Sequence, residues 1–209
     1  MKHFHPSIVS AGEQTVTDKV FELSSRERPT IHKMVSDTFA PIKDHPCWNV
    51  RQGQGTTLTM EFGEPSLGIR EYKRTVGKPL PGEHPKIAKR HALVKGQWHL
   101  YIYRCHWSIS LPDGTKVTNE SSREDIEQSL SQLSGQILKK ATVSPRNGAS
   151  LFEFDLGGKL QTMPAENLAE PGEPQESWMF FTGENVLTYR SDGQYAFHQV
   201  GKPTKDWFT

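Results

Sequence analysis

The residues from Trp98 to Leu111 carry the strongest β-strand pattern in the chain and constrain its fold more than any other segment. Aromatic and β-branched side chains, which favour a pleated strand, alternate along most of this run. One face would carry Tyr101, Tyr103, Cys105, Trp107, Ile109 and Leu111. The other would carry Trp98, Leu100 and Ile102 before it turns polar at Arg104 and His106. We predict a single central strand whose first half is buried on both faces.

Short alternating segments separated by turn residues predict that the sheet around this strand is antiparallel. In the C-terminal third they cover residues 137–143, 150–156, 159–163, 178–182, 186–190 and 194–198. Gly157-Gly158 and Ser191-Asp192-Gly193 each separate two of them, as tight hairpin turns do. These segments therefore indicate an antiparallel meander.

A further hairpin is predicted nearer the N-terminus. A strand beginning at Cys47 is followed by Gly53-Gln54-Gly55 and by residues 57–62, in which Leu58, Met60 and Phe62 would share the buried face. A weaker strand is predicted over residues 67–72. Pro112-Asp113-Gly114 predicts a turn after the central strand, with a returning strand over residues 115–118.

Two helices are predicted from apolar positions that recur at helical spacing. The first covers Ile31 to Phe39, with Thr30 as its cap and Pro41 as its stop. The second covers residues 123–134, with Ser122 as its cap and acidic residues in the first turn, where the helix dipole favours them. Gly135 would end it.

These elements predict a single α+β domain spanning residues 1–209. Its sheet would be largely antiparallel and strongly curved, with barrel-like closure as one option, and would hold roughly eight to ten strands. Residues 1–25 contain few apolar positions, so we expect them to form a loosely held N-terminal arm.

Charge and cysteine usage bound the classes of function. The chain has 25 Lys and Arg against 24 Asp and Glu, so the molecule as a whole has almost no field to attract nucleic acid or an anionic membrane. Its two cysteines are far apart, no apolar leader opens the chain, and no apolar run approaches the roughly 20 residues of a membrane span. We expect a cytoplasmic protein.

Residue types that bind metals or act as nucleophiles do not form a site in the sequence. On a strand rising about 3.3 Å per residue, His99 and Cys105 would lie roughly 20 Å apart, and His106 would point to the opposite face. Cys105 among aromatic side chains would have a raised pKa, as expected of a structural thiol. We therefore predict neither a metal site nor a cofactor.

Carboxylates are the remaining candidates for acid–base chemistry. Glu124, Asp125 and Glu127 lie in the first turns of the second helix, where capping and the helix dipole explain them. Glu61, Asp155 and Asp192 are separate candidates that no sequence spacing connects. We predict no catalytic residue from these patterns.

Two oppositely charged loops are candidates for binding a partner. Residues 73–95 contain seven Lys or Arg together with several Pro and Gly, which predicts a long exposed loop. The partner-binding candidates within it are Lys86, Lys89, Arg90 and His91. Tyr101 and Tyr103 are close enough in sequence to add stacking surface for a nucleic acid. Residues 165–176 form the acidic, proline-rich counterpart.

A weak family resemblance lies mainly in the C-terminal half. Residues 152–160, 178–181 and 186–195, together with residues 59–63 and the strand 98–107, resemble uncharacterised bacterial β-rich proteins. Some of these are similar to immunity proteins of toxin systems. The resemblance covers under half of the chain and implies a fold and a bacterial origin, with no catalytic residue to carry over.

Three functional hypotheses follow. We favour a non-enzymatic bacterial intracellular protein that binds another protein through its loops, as an immunity-like protein would. The alternative is a small-ligand-binding protein or enzyme with a pocket inside the curved sheet. That pocket would be formed by Tyr101, Tyr103, Arg104, His106 and Tyr189. The third hypothesis is a nucleic-acid binder that uses the basic loop of residues 73–95.

Overall fold

The computed structural model describes residues 30–71, 90–165 and 174–201, which hold two α-helices, a short 3₁₀ helix and thirteen strands. In chain order these are α1 (Ile31–Phe39), the 3₁₀ helix (Ala40–Ile42), β1 (Cys47–Gln52), β2 (Leu58–Phe62), β3 (Ser66–Glu71), β4 (Arg90–Lys95), β5 (Trp98–Ile102), β6 (Cys105–Ser110), β7 (Lys116–Thr118), α2 (Arg123–Leu133), β8 (Leu138–Ser144), β9 (Ala149–Phe154), β10 (Lys159–Pro164), β11 (Glu176–Thr182), β12 (Asn185–Arg190) and β13 (Tyr195–Gln199).

The strands form three antiparallel sheets. A six-stranded sheet has the order β1-β2-β5-β11-β12-β13, a five-stranded sheet has the order β7-β6-β10-β9-β8, and β3 pairs with β4 as a separate ribbon. The predicted antiparallel α+β fold is confirmed. Strong curvature and barrel-like closure are not confirmed, because in the described residues each large sheet is open, ends in two edge strands and is not strongly curled. The prediction of one sheet of eight to ten strands is wrong, since the described residues form thirteen strands in three sheets.

The prediction of one long central strand is wrong. Residues 98–111 form β5 in the six-stranded sheet and β6 in the five-stranded sheet, and Arg104 between them has a φ of 46°. This left-handed residue shifts the core-facing positions by one: Leu100 and Ile102 are fully buried in β5, and Cys105 and Ile109 in β6. Because residues 98–102 carry apolar or aromatic side chains on both faces, two-residue alternation in the sequence does not reveal this shift.

Both predicted helices are confirmed. The Thr30 hydroxyl caps α1 by accepting the Lys33 N–H at 3.4 Å, and the chain then tightens into the 3₁₀ helix that contains Pro41. The Ser122 hydroxyl caps α2 by accepting the Asp125 N–H at 3.1 Å. Neither helix in the described part of the chain is long and apolar enough to cross a bilayer.

Helix α1 joins the two large sheets through its last aromatic residue. The ring of Phe39 stacks on Phe180 of the six-stranded sheet at 4.1 Å and contacts Phe152 of the five-stranded sheet at 6.0 Å. Trp178 and Phe152 then meet edge to face at 5.8 Å. The indole N–H of Trp178 donates to the Ser150 hydroxyl at 2.8 Å, so the buried indole nitrogen is satisfied across the sheets.

The short strands and turns predicted elsewhere are confirmed, but the predicted C-terminal meander is divided, with β8, β9 and β10 in the five-stranded sheet and β11, β12 and β13 in the six-stranded sheet. The hairpin β1–β2, the strand β3 and the six C-terminal strands are all present, and Leu58, Met60 and Phe62 are fully buried. The predicted long loop is wrong at its end, because residues 90–95 form β4 and pair with β3. The predicted N-terminal arm, loop residues 73–89 and acidic residues 166–173 lie outside the described residues.

Two hairpin turns, one from each large sheet, touch through glycine. Gly148 lies in the β8–β9 turn and Gly193 in the β12–β13 turn, and both have positive φ. A Cβ on Gly148 would overlap the backbone oxygen of Ser191, and a Cβ on Gly193 would overlap that of Pro145. Each turn therefore approaches the other more closely than a side chain would permit.

We predict that Gly193→Ala destabilises the protein more than Gly183→Ala. Both glycines have positive φ, but nothing lies within 4 Å of a Cβ on Gly183. Backbone strain alone should cost Gly183→Ala about 1 kcal/mol, and the added overlap should bring Gly193→Ala to roughly 2–4 kcal/mol. Urea unfolding measures both, and equal losses would contradict the contact between the turns.

Candidate functional site

The outer face of the six-stranded sheet, which points away from the core, carries an unusual group of polar and aromatic side chains. Alternation places Leu58, Met60 and Phe62 of β2 in the core, so their neighbours Thr59 and Glu61 point outward. Strand pairing then brings the outward residues into two rows. These rows are Glu61, His99 and Phe181, and Thr59, Tyr101 and Met179.

A cleft of about 660 Å³ opens over these two rows. Its wall on one side is the end of β4 and the following turn, residues 93–97, and on the other side it is bounded by Gly183 and Val200. Arg51 also lines it. We call it the outer cleft. Its lining combines apolar and aromatic surface with a few polar groups, which is the usual composition of a ligand site.

A carboxylate and an imidazole pair at the floor of the outer cleft. Nδ1 of His99 lies 2.9 Å from Oε1 of Glu61, and the Gly96 N–H donates to Oε2 of Glu61 at 3.0 Å. The side chain of Glu61 is only 6% exposed, whereas that of His99 is 28% exposed. The carboxylate is thus a buried support, and the imidazole is the member of the pair that reaches solvent.

The pKa of Glu61 lies below its ordinary value of 4.5. Burial acts to raise this pKa, but the hydrogen bond and charge of His99, the Gly96 amide and the charge of Arg51 together lower it further than burial raises it. The carboxylate is therefore ionised at neutral pH. Because an ionised carboxylate only accepts hydrogen bonds, the proton belongs on Nδ1 of His99. In the tautomer that carries its proton on Nδ1, Nε2 is the ring nitrogen that can accept a hydrogen bond from a ligand.

Gly96 is required where it stands because the chain passes close to β2. A Cβ at this position would overlap the backbone oxygen of Phe62. This approach is what brings the Gly96 N–H to Glu61. The turn between β4 and β5 therefore belongs to the site through its backbone.

Thr59 adds a second polar group to the cleft floor. Its hydroxyl oxygen is buried and has no hydrogen-bond partner among the described residues. Unpaired buried hydroxyls are rare because they lose their bonds to water.

The structure brings together only part of the predicted pocket. Tyr101 lines the outer cleft, and Tyr103 and Arg104 continue from it along the chain, with the rings of Tyr101 and Tyr103 5.6 Å apart. His106 and Tyr189 are elsewhere. The sequence pattern treated all five as one surface, whereas the chain changes sheets at Arg104.

The two separated residues have different surroundings. His106 lies on the five-stranded sheet, where its Nδ1 is 3.4 Å from the Asn119 amide nitrogen. Tyr189 is fully buried in the core and stacks on Trp178 at 5.3 Å. Burial, with the nearby charge of Asp192, raises the pKa of Tyr189 to about 12. Tyr189 is a core residue in this structure.

The predicted partner-binding residues lie only partly in the described chain. Arg90 and His91 belong to β4, which faces β3 in the separate ribbon. Lys86 and Lys89 lie outside the described residues.

Both cysteines are buried free thiols. Burial raises the pKa of Cys47 and of Cys105 to about 12, as the sequence predicted for Cys105. Their sulfurs donate to the backbone oxygens of Leu133 and Ser177 at 3.2 and 3.4 Å. In the described ranges no three His, Cys, Asp or Glu side chains are grouped to hold a metal ion.

The sequence patterns do not predict the Glu61–His99 pair. They present Glu61 as a separate carboxylate and His99 as a candidate metal ligand. The sequence places Glu61 between the apolar residues Met60 and Phe62, so alternation predicts that it points outward. A carboxylate within such a strand also needs a partner. The identity of that partner depends on the register between β2 and β5, which local sequence does not contain.

Comparisons with known proteins give no relative from which to carry over a function. No protein-family model matches the chain, and neither a curated protein nor a solved structure matches it significantly. The resemblance to toxin-system immunity proteins stays a prediction. The function must be argued from the site itself.

We predict that Glu61 stabilises the fold in a pH-dependent way. Because its folded pKa is lowered, this stabilisation is present above pH 4.5 and is lost as the pH falls through the folded value. Glu61→Gln should cost roughly 1.5–3 kcal/mol at pH 7, as expected for a hydrogen bond to a charged group. Urea unfolding from pH 7 to pH 3 should show this difference shrinking below pH 4.5.

Glu153→Gln is the matched control for this measurement. Glu153 lies 3.8 Å from both Lys140 and Lys159, and its side chain is 31% exposed. Loose pairs of this kind contribute at most about 1 kcal/mol. The proposed pairing would be contradicted if Glu61→Gln lowered the free energy of unfolding no more than Glu153→Gln does. A loss that increased as the pH fell would also contradict it.

We predict that neither thiol reacts with Ellman's reagent in the native protein. A pKa of about 12 leaves on the order of one thiol in ten thousand ionised at pH 8. Denaturation in guanidinium should release two equivalents, one from each cysteine. Rapid release of an equivalent without denaturant would show that one thiol is accessible.

Proposed function

We propose that this protein binds a small organic ligand in the outer cleft. The observation that carries the proposal is the Glu61–His99 pair, in which a buried carboxylate orients a partly exposed imidazole at the floor of a 660 Å³ cleft. A volume of this size falls within the roughly 300–1,000 Å³ that is typical of small-molecule sites. This proposal takes up the ligand-binding alternative from the sequence, with a different set of residues.

The lining indicates what the ligand carries. Leu93, Met179 and Phe181 provide apolar contact for a ring or hydrocarbon body. Nε2 of His99, as an acceptor, would take a hydrogen bond from a hydroxyl or amine of the ligand. We therefore infer a planar or apolar molecule with a hydrogen-bond donor at one end.

Binding is better supported than covalent catalysis. Both cysteines are buried with a pKa of about 12, so neither is an activated nucleophile. The buried thiols also support the proposal that the protein works in a reducing compartment such as the cytoplasm.

A second candidate function is the one that the sequence favoured, binding of a protein partner by a bacterial immunity-like protein. The observation that favours it is the β3–β4 ribbon, on which Leu67, Ile69 and Val94 are 70%, 63% and 52% exposed. Exposed apolar side chains on a ribbon are typical of interfaces. A partner whose binding is lost in Leu67→Ser/Ile69→Ser but kept in the cleft variant Met179→Trp would support this function.

Ligand-detected NMR with paired probes tests the outer cleft. Each probe is a small aromatic ring in two versions, a phenol and its methyl ether, so that only the donor differs. We expect the phenols to bind with dissociation constants on the order of 1 mM, as small fragments do. The ethers should bind several-fold more weakly, and His99→Leu should remove the difference between the two.

Two variants locate the binding site. Met179→Trp places a larger side chain in the cleft floor and should abolish binding. Phe197→Trp adds the same ring at a position that is 47% exposed and does not line the cleft, so it should bind the phenols as the wild type does. The proposal fails if no probe binds the wild type or if binding survives in Met179→Trp.

A further inference from the structure

The aromatic side chains of the outer face form a continuous row. Ring centroids are 5.8 Å apart between Phe181 and His99, 6.2 Å between His99 and Tyr101, and 5.6 Å between Tyr101 and Tyr103. The guanidinium of Arg104 lies 4.8 Å from the centre of the Tyr103 ring. We call Phe181, His99, Tyr101 and Tyr103 the aromatic row. It begins in the outer cleft and runs out of it.

The row follows from the strand geometry. His99 and Tyr101 are two residues apart on β5, a separation of roughly 6.6 Å, and both point outward because Leu100 and Ile102 are buried. Phe181, on β11, is the direct cross-strand partner of His99 on β5. The rings are all partly exposed, so they present a strip of aromatic surface to solvent.

Cations flank this strip on both sides of the cleft. Arg104 is exposed at one end, and its Nη1 donates to the neutral Gln175 side chain at 2.7 Å, which leaves its charge uncompensated by that contact. Arg51 and Lys95 are exposed and line the cleft, with Arg51 beside Thr59 on the edge strand β1. Among the described residues that line the cleft the acidic one is Glu61, which is buried against His99 and the Gly96 amide; exposed Glu64 and Glu184 adjoin the cleft at Gln97 and Gly183.

We propose that the ligand of this face is a single-stranded nucleic acid, whose end base enters the outer cleft while the following bases contact the aromatic row. This inference rests on the proposed function, since it names the ligand class of the same cleft. Every base offers a π-face for stacking on an aromatic ring, and a continuous row of rings offers such a contact to several successive bases. Arg104, Arg51 and Lys95 would contact the phosphates.

The small number of cations sets the salt dependence. Single strands contribute a slope of about −0.7 in log K against log salt for each neutralised phosphate. Three contacts therefore predict a slope of about −2, much shallower than that of proteins with a broad basic surface. Stacking should supply most of the affinity, so the rings are the decisive test.

Fluorescence anisotropy with a labelled oligomer of about eight uridines measures the binding. Tyr101→Leu and Tyr103→Leu, which keep apolar area but remove the rings, should each weaken binding roughly 5- to 100-fold. Arg104→Gln should reduce the steepness of the salt slope by about 0.7. Arg146→Gln removes the same charge from an exposed turn away from the row and should change neither quantity. Thermal unfolding confirms that each variant is folded.

The outcomes separate this inference from the proposed function. Oligomer binding that is lost in the ring variants supports the inference. No oligomer binding at 50 mM salt, equal binding of duplex, or binding unchanged in both ring variants overturns it. Phenol binding that is lost in Met179→Trp, without oligomer binding, keeps the outer cleft as a small-molecule site and overturns only the nucleic-acid ligand. If neither probe binds, both proposals fail.

Discussion

The left-handed backbone at Arg104 decides which side chains the molecule buries and which it displays. Before it, Leu100 and Ile102 face the core, and after it Cys105 and Ile109 do. Had the alternation of β5 continued unbroken past Arg104, Cys105 and Ile109 would have pointed away from the side that buries Leu100 and Ile102. The cost of a positive φ at a non-glycine residue, of order 1–3 kcal/mol, is small beside the burial of several large apolar side chains. Alternation within β5 leaves Tyr101 on the surface beside the buried Leu100 and Ile102, and Tyr103 follows on the same side, so the aromatic row ends where the backbone turns at Arg104.

The Glu61–His99 pair shows how the outer face accommodates a buried charge. A carboxylate removed from water is costly unless its oxygens are paired, and here Nδ1 of His99 lies 2.9 Å from one oxygen and the Gly96 N–H donates to the other. The glycine matters because a side chain there would hold the β4–β5 turn away from β2. Strand β2, strand β5 and the β4–β5 turn thus together fix the position of the imidazole. A fixed, partly exposed imidazole is better suited to hydrogen-bond a ligand than a mobile surface histidine, because less conformational entropy is lost on binding.

Local sequence predicted the elements of the fold well, because caps, turns and two-residue alternation act within a few residues. Thr30 and Ser122 cap the starts of the two helices, and Gly135 follows the end of α2, as predicted. The C-terminal hairpins also have their predicted turns. What it did not predict depends on contacts distant in sequence. The break at Arg104 is concealed by apolar residues on both faces of residues 98–102. The candidate site depends on strand register, which places Glu61 beside His99 and moves His106 and Tyr189 away from Tyr101.

Net charge is a poor guide to what the outer face binds. The near balance of 25 basic and 24 acidic residues removes any long-range attraction for a polyanion, and this argued against nucleic acid at the sequence level. Exposed charges are screened beyond about 10 Å at 0.1 M salt, so a ligand in contact with the face responds to the groups within that distance. Among the described residues, those groups include Arg104, Arg51 and Lys95, and the carboxylate of Glu61 that lines the cleft already accepts the Gly96 N–H. A balanced protein can therefore hold a short anionic strand by contact, provided that stacking rather than steering supplies the affinity.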